Sequence, residues 1–184
     1  VKDTLLIVAY LPEVAHQYQL NELLRSRVAH PAASLDTLLK VARSEFNPNW
    51  TEPLFYHTNA YFGLNQTGLI ENLPDPVKSR IKDYYNGKFY RTGNVTRITA
   101  DYRNKVSGFV ETYTFGSTGI HDQGPLIDSL VWMKIDHAHL AASFQGISNF
   151  KRLLFQATRE EMKYSLEHSR LLIRELENYL ETHD

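Results

Sequence analysis

At 184 residues, with 20 basic and 21 acidic side chains, 42 % hydrophobic residues and no cysteine, the chain has the makeup of one globular domain able to bury a substantial core. The balanced charge names no polyanionic partner. The missing cysteine removes disulfide scaffolds, thiolate metal sites, iron–sulfur ligation and cysteine nucleophiles.

The first apolar run, TLLIVAYL at residues 4–11, falls short of the roughly 18 residues that cross a bilayer. It lacks the basic leader and cleavage site of a signal peptide. It reads as a buried strand or helix turn closed by Pro12, or, because the chain starts at a valine, as the end of an anchor upstream of Val1. Pro12 then opens a helix through Val14, Tyr18, Leu20 and Leu24 towards His30-Pro31. Ser34 caps a helix through Leu35, Leu38, Leu39, Ala42 and Phe46, which NPNW stops. Thr51 and Pro53 start another running from Phe55 to Leu64. In LPDPVKSRIKDYYNG, Asp75 is placed as N-cap, Pro76 as first helical residue, and Asn86-Gly87 as the stop of a short helix.

Two readings stay open for residues 95–113. Val95, Ile98, Tyr102, Val106, Phe109, Val110 and Tyr113 keep helical spacing, yet GFVETYTFG also alternates and is rich in β-branched and aromatic residues. A strand there would make LLIVAYL and LVWMKI strands as well. The segment FGSTGIHDQGP, residues 115–125, is the most loop-like. After it, Leu126, Leu130, Met133, His137, Leu140, Phe144 and Ile147 form one helical stripe. From residue 150 to 180 there is no Pro or Gly, and Phe155, Met162, Leu166, Ser169, Ile173, Leu176 and Leu180 define a long amphipathic helix. The reading is a single mainly α domain over residues 1–184: an elongated helical bundle with a long C-terminal helix, and residues 88–135 open to a small β element.

The run TGLIENLPDPVKSRIKDYYN, residues 67–86, resembles a segment of uncharacterised bacterial proteins that carry an N-terminal membrane anchor and a helical soluble domain. The resemblance implies a helical fold and a membrane-tethered setting. It carries no catalytic motif onto this chain.

Chemistry is sparsely signalled. His137 and His139 would share a metal on a strand, where i and i+2 lie on one face; the helical stripe instead sends His137 to the core and His139 across from it. Asp136, His139 and Ser143 then share the opposite face, a triad on paper, but no nucleophile elbow or oxyanion hole accompanies them. Glu13 with His16 and Asp136 with His139 repeat the carboxylate-x-x-His spacing of dinuclear bundle sites, the Asp departing from the usual Glu. His30, His57, His121, His168 and His183 show no ligand spacing. Sequons at Asn49, Asn65 and Asn94 are close to chance for this composition. The strongest bias is a net charge of +5 over residues 75–105, interleaved with Tyr84, Tyr85, Phe89, Tyr90 and Tyr102. Basic plus aromatic suits a phosphate or single-stranded nucleic-acid surface. Pairing with the acidic residues 157–184 accounts for it more simply.

The expectation is a non-enzymatic sensing, binding or scaffold domain, extracytoplasmic or membrane-tethered, that recognises a small ligand or protein partner without a cofactor. Its ligand-binding candidates are Tyr84, Tyr85, Lys88, Tyr90, Arg91 and His137, and a second copy of the chain is a compatible partner. The alternatives are a metal-dependent enzyme using Glu13, His16, Asp136 and His139, and a nucleic-acid- or anion-binding module using residues 78–105.

Overall fold

Three long helices carry the chain: α1, Lys2–Ala29; α4, Asp75–Thr112; and α6, His137–Glu181. Between them lie α2, Leu35–Lys40, which widens into a π-helical turn at Val41–Glu45; α3, Asn59–Gln66, followed by a 3-10 turn at Leu69–Asn72; and α5, Gly124–Ile127, which runs into a second π-helical turn at Asp128–Trp132. This computed structural model describes residues 2–50, 57–113 and 124–182, and every regular element among them is helical. A helical bundle is therefore the fold. Where a strand is the alternative reading, residues 5–11 and 107–112 are α-helical and residues 127–132 form the end of α5 and its π-helical turn; residues 114 and 115 of that alternative lie outside the described residues. Residues 51–56 and 115–123, including the expected helix start at Thr51 and Pro53 and most of the expected loop, lie outside the described residues.

Several boundaries move for physical reasons. α1 continues through Pro12, although the ring removes one ladder hydrogen bond. Ile7 and Val14 are fully buried on either side of it, and it is such packing that holds helices together in proteins. Ser34 does cap α2: its hydroxyl accepts the Thr37 N–H at 3.3 Å while Thr37 Oγ1 accepts the Ser34 N–H at 3.3 Å, the reciprocal box that satisfies two orphan donors. Gly68, at φ 69°, supplies the left-handed turn after α3.

The expected short helix ending at Gly87 becomes the 38-residue α4. Its first cap carbonyl is that of Pro74, which accepts the Lys78 N–H at 2.9 Å, so Asp75 and Pro76 are the first two helical residues. Past Gly87 the inward stripe continues without a break through Lys88, Val95, Thr99, Tyr102 and Phe109. A helix with a buried stripe on both sides of a glycine has no reason to end there.

The opposite happens before α6. Leu126, Leu130 and Met133 are exposed, and Asp136 Oδ1 accepts the N–H groups of Ala138 at 2.9 Å and His139 at 3.1 Å. This N-cap starts a new helix and resets the register. His137 is consequently exposed, not core-facing as its place in the stripe predicts.

The chain divides into two compact units. The first comprises Val1–Val14, Glu52–Thr96 and Ala157–Asp184; in it Arg80 meets Glu175 and Arg91 meets Tyr164, so α4 and α6 run antiparallel. Its core joins Tyr61, Ile70, Ile81, Tyr84 and Leu172. The second comprises Ala15–Thr51 and Arg97–Gln156. There Phe46 packs edge-on against Phe109 and Phe144, at centroid distances of 6.2 and 5.3 Å. Tyr102 Oη donates to the Pro48 carbonyl and Lys151 Nζ to that of Asn47, which ties the segment after α2 to α4 and α6. Among the described residues no helix is long and apolar enough to cross a membrane.

Candidate functional site

In the first unit, the inward face of α4 brings Tyr84 and Lys88 together one turn apart, with Tyr85 half-buried beside them. Lys88 is 1 % exposed. Its ammonium donates to Asp3 Oδ2 at 2.9 Å and lies 5.5 and 5.8 Å from the Tyr84 and Tyr85 rings. Asp3 also accepts from the backbone N–H of His57 at 3.1 Å and meets its ring Nδ1 at 2.6 Å. Burial works to raise the Asp3 carboxyl, but the hydrogen bonds from His57 and Lys88 outweigh it and hold the group below its ordinary value. Burial, followed by the charges of Tyr85, Asp3 and Glu161, pushes the Tyr84 phenol well up.

This cluster is a polar network buried at Lys88 and Tyr84 and open to solvent at His57. Its charges face one another, and Glu161, also buried, accepts from Ser165 at 2.7 Å. The other ligand candidates do not join it: Tyr90 is 80 % exposed, Arg91 is exposed with its guanidinium 4.3 Å over the Tyr164 ring, and His137 belongs to the second unit.

Acids also answer the basic segment. Lys82 at 2.8 Å and Lys78 at 3.3 Å both hold Glu71, Lys78 reaches Asp75 at 3.0 Å, and Arg80 meets Glu175 at 3.0 Å. The hydrogen bonds of Lys82 and Lys78 keep the Glu71 carboxyl below the usual range. The carboxylate–histidine candidates are not gathered: Glu13 and His16 are exposed on α1, the Asp136 carboxylate caps α6, and no described group of three or more His, Asp or Glu side chains could hold a metal.

A different arrangement appears in the second unit, in a cleft of about 450 Å³ between the end of α4 and the start of α6. α4 contributes Asn104, Lys105, Gly108, Phe109 and Thr112. α6 contributes His139, Ala142, Ser143, Gly146 and Ile147, at the spacing that puts them on one helix face. The two segments are antiparallel here as well, because Tyr113 meets His139 and the Lys105 ammonium lies 5.5 Å over the Phe150 ring.

Tyr113, buried beside this cleft, shares a hydrogen bond between its Oη and His139 Nδ1. Burial raises its phenol, the Ser143 hydroxyl works against that, and the charge of Asp136 adds to it. The paper triad is thereby resolved. His139 turns its Nδ1 to a phenol, and Asp136 is engaged with backbone N–H groups, so neither is placed to activate Ser143 as a nucleophile.

Sequence reasoning found His139 and Ser143 on a common face and named Lys105 as the end of an anion-binding segment, but did not bring Lys105 to them and missed Tyr113 and the two glycines. A signal was present in Gly108 and Gly146. Both sit inside long helices, where glycine costs stability, and a Cβ built on either meets nothing within 4 Å; they open the cleft. No protein-family model, curated protein or solved structure matches the chain.

Proposed function

We propose that the chain is a helical ligand-binding domain, a sensing or binding module and not a catalyst, and that its site is the cleft between α4 and α6. The observation that carries this reading is the cleft itself. About 450 Å³ falls in the range occupied by small-molecule sites, and the lining divides between the polar Asn104, Lys105, Thr112, His139 and Ser143 and an apolar base. The hydrogen-bonded pair of Tyr113 and His139, with Ser143 on the same face of α6, suits the orientation of a bound polar group. A membrane-tethered setting belongs to the same proposal through the likeness of residues 67–86 to anchored helical domains.

The test is a fragment screen followed by amide shifts of the isotope-labelled chain. Hits should move the resonances of Gly108, Ser143 and Gly146, and should vanish in Gly146→Leu, whose side chain fills the cleft. Hits that scatter elsewhere, or that survive in Gly146→Leu, would remove the reading.

A further inference from the structure

The cleft has a chemical polarity along its length. None of its described lining side chains is acidic, and the one permanent charge among them is the Lys105 ammonium, beside the Asn104 amide at the end nearest Phe150. No described ion pair engages Lys105, Arg103 or Arg91, whereas Lys78, Arg80, Lys82, Lys88 and Arg97 of the same helix have a carboxylate partner; of the three, only Lys105 lines the cleft. At the other end stand Thr112, His139 and Ser143, with His139 Nδ1 already committed to Tyr113. Its Nε2 is the ring nitrogen left for a ligand.

The distance between the ends follows from helix geometry. From Lys105 to Thr112 the α4 backbone rises by about 10 Å at 1.5 Å per residue. Between them Phe109 and Ile147 lie buried at the base of the cleft, and Gly108 and Gly146 leave open space beyond the backbone on either side. A flat or unbranched apolar body fits such a slot. A dianionic phosphate would face a single cation, while a carboxylate matches one ammonium and one amide.

Resting on the cleft as the ligand site, we infer that it takes a monocarboxylate about 10 Å long: carboxylate on Lys105 and Asn104, a flat apolar body over Phe109 and Ile147, and a hydroxyl at the far end that bonds His139 and Ser143. The charge gives orientation, the slot selects shape, and the far donors and acceptors discriminate a hydroxylated tail from a bare one.

Three probes separate these parts: 4-(4-hydroxyphenyl)butyrate, the same molecule with its carboxyl reduced to an alcohol, and 4-phenylbutyrate. Binding is followed by calorimetry and by amide shifts with the full chain and with Lys105→Met, Lys105→Arg, Ser143→Ala and Gly146→Leu. The thermal midpoint of each variant is recorded as a check on folding. The hydroxy acid should bind tightest, and the alcohol should be weaker by about tenfold, the size of one charge-assisted hydrogen bond. Lys105→Met should weaken the acid by a similar factor and leave the alcohol unchanged, Lys105→Arg should keep most of the affinity, and Ser143→Ala should erase the advantage of the hydroxyl. Gly146→Leu should block all three probes.

Equal binding of acid and alcohol, unaltered by Lys105→Met, would overturn the ligand class and leave the cleft standing as a site. Failure of all three probes to bind with a dissociation constant below about 10 mM would overturn the ligand class too; the fragment screen then judges the cleft by itself. Binding that persists in Gly146→Leu would overturn both.

Discussion

Lys151 is 4 % exposed on α6, its ammonium donating to the Asn47 carbonyl, within 3.5 Å of the Asn49 carbonyl, and 5.3 and 5.5 Å from the Phe46 and Phe155 rings. Carbonyls and ring faces offer partial charge, less than water would, and burial pushes the lysine down to about 8. The consequence for stability has a definite sign. Between pH 8 and the ordinary lysine range the unfolded chain binds more protons than the folded one, so unfolding becomes harder as pH rises. Below pH 8 both states are protonated and the full cost of the buried charge is present. The relief across this window is of order 3 kcal/mol at most, from a shift of about two and a half units. Urea denaturation at pH 7.5 and pH 10 should therefore show wild type gaining on Lys151→Met, in which the nail to Asn47 is absent at both pH values. A constant difference between the two proteins would contradict the burial argument.

At the scale of elements, Gly87 shows why α4 is continuous. A Cβ there would lie 2.7 Å from Cζ of Tyr164, a ring held between the Arg91 guanidinium at 4.3 Å and the stacked His168 ring at 3.9 Å. Glycine serves a close helix–helix approach at this point, not a helix end. Gly87→Ala should lower stability by about 1 to 3 kcal/mol, the cost of overpacking, whereas Gly93→Ala, with nothing within 4 Å of its Cβ, should gain about 0.5 to 1 kcal/mol from backbone entropy. Denaturant midpoints of the two variants moving in the same direction would refute the packing account. The same position marks the reach of sequence reading. Asn-Gly is a sound stop signal taken locally, and only a tyrosine 77 residues further along α6 reverses it. Residues 150–180 were legible as helix because periodicity without breakers is sufficient; Phe155, Met162 and Ser169 of the expected stripe are buried, but Leu180 is exposed and the buried face also takes in Leu154, Thr158, Ser165 and Leu172. His137 was not, because the stripe through Leu126 and Met133 treats Asp136 as one more polar residue when its carboxylate restarts the helix. The cleft was half legible. His139 and Ser143 share a face by spacing alone, but Lys105, Gly108 and Tyr113 come to them through the antiparallel register of two helices that no local pattern encodes.

For the molecule as a whole, 20 basic and 21 acidic side chains matter less as totals than in their pairing. The first half of the basic segment that resembles a nucleic-acid surface in composition is answered within its own unit: Glu71 takes Lys82 and Lys78, Glu175 takes Arg80, and Asp3 takes Lys88, while no described ion pair engages Arg91, Arg103 or Lys105. A polyanion gains affinity by releasing counterions as phosphates meet free cations, and a cation already facing a carboxylate offers little of that gain. The chain should therefore fail to retard a labelled single-stranded oligonucleotide at physiological salt. The double variant Glu71→Gln, Glu175→Gln frees Lys82 and Arg80, leaves Lys78 with Asp75 alone, and adds two units of net positive charge in one place. It should acquire weak retardation at low salt that fades as salt is raised, since screening acts on exposed charges first. If wild type retards the oligonucleotide with a steep salt slope and the double variant changes nothing, the carboxylates do not mask these cations and the basic segment is available to polyanions after all.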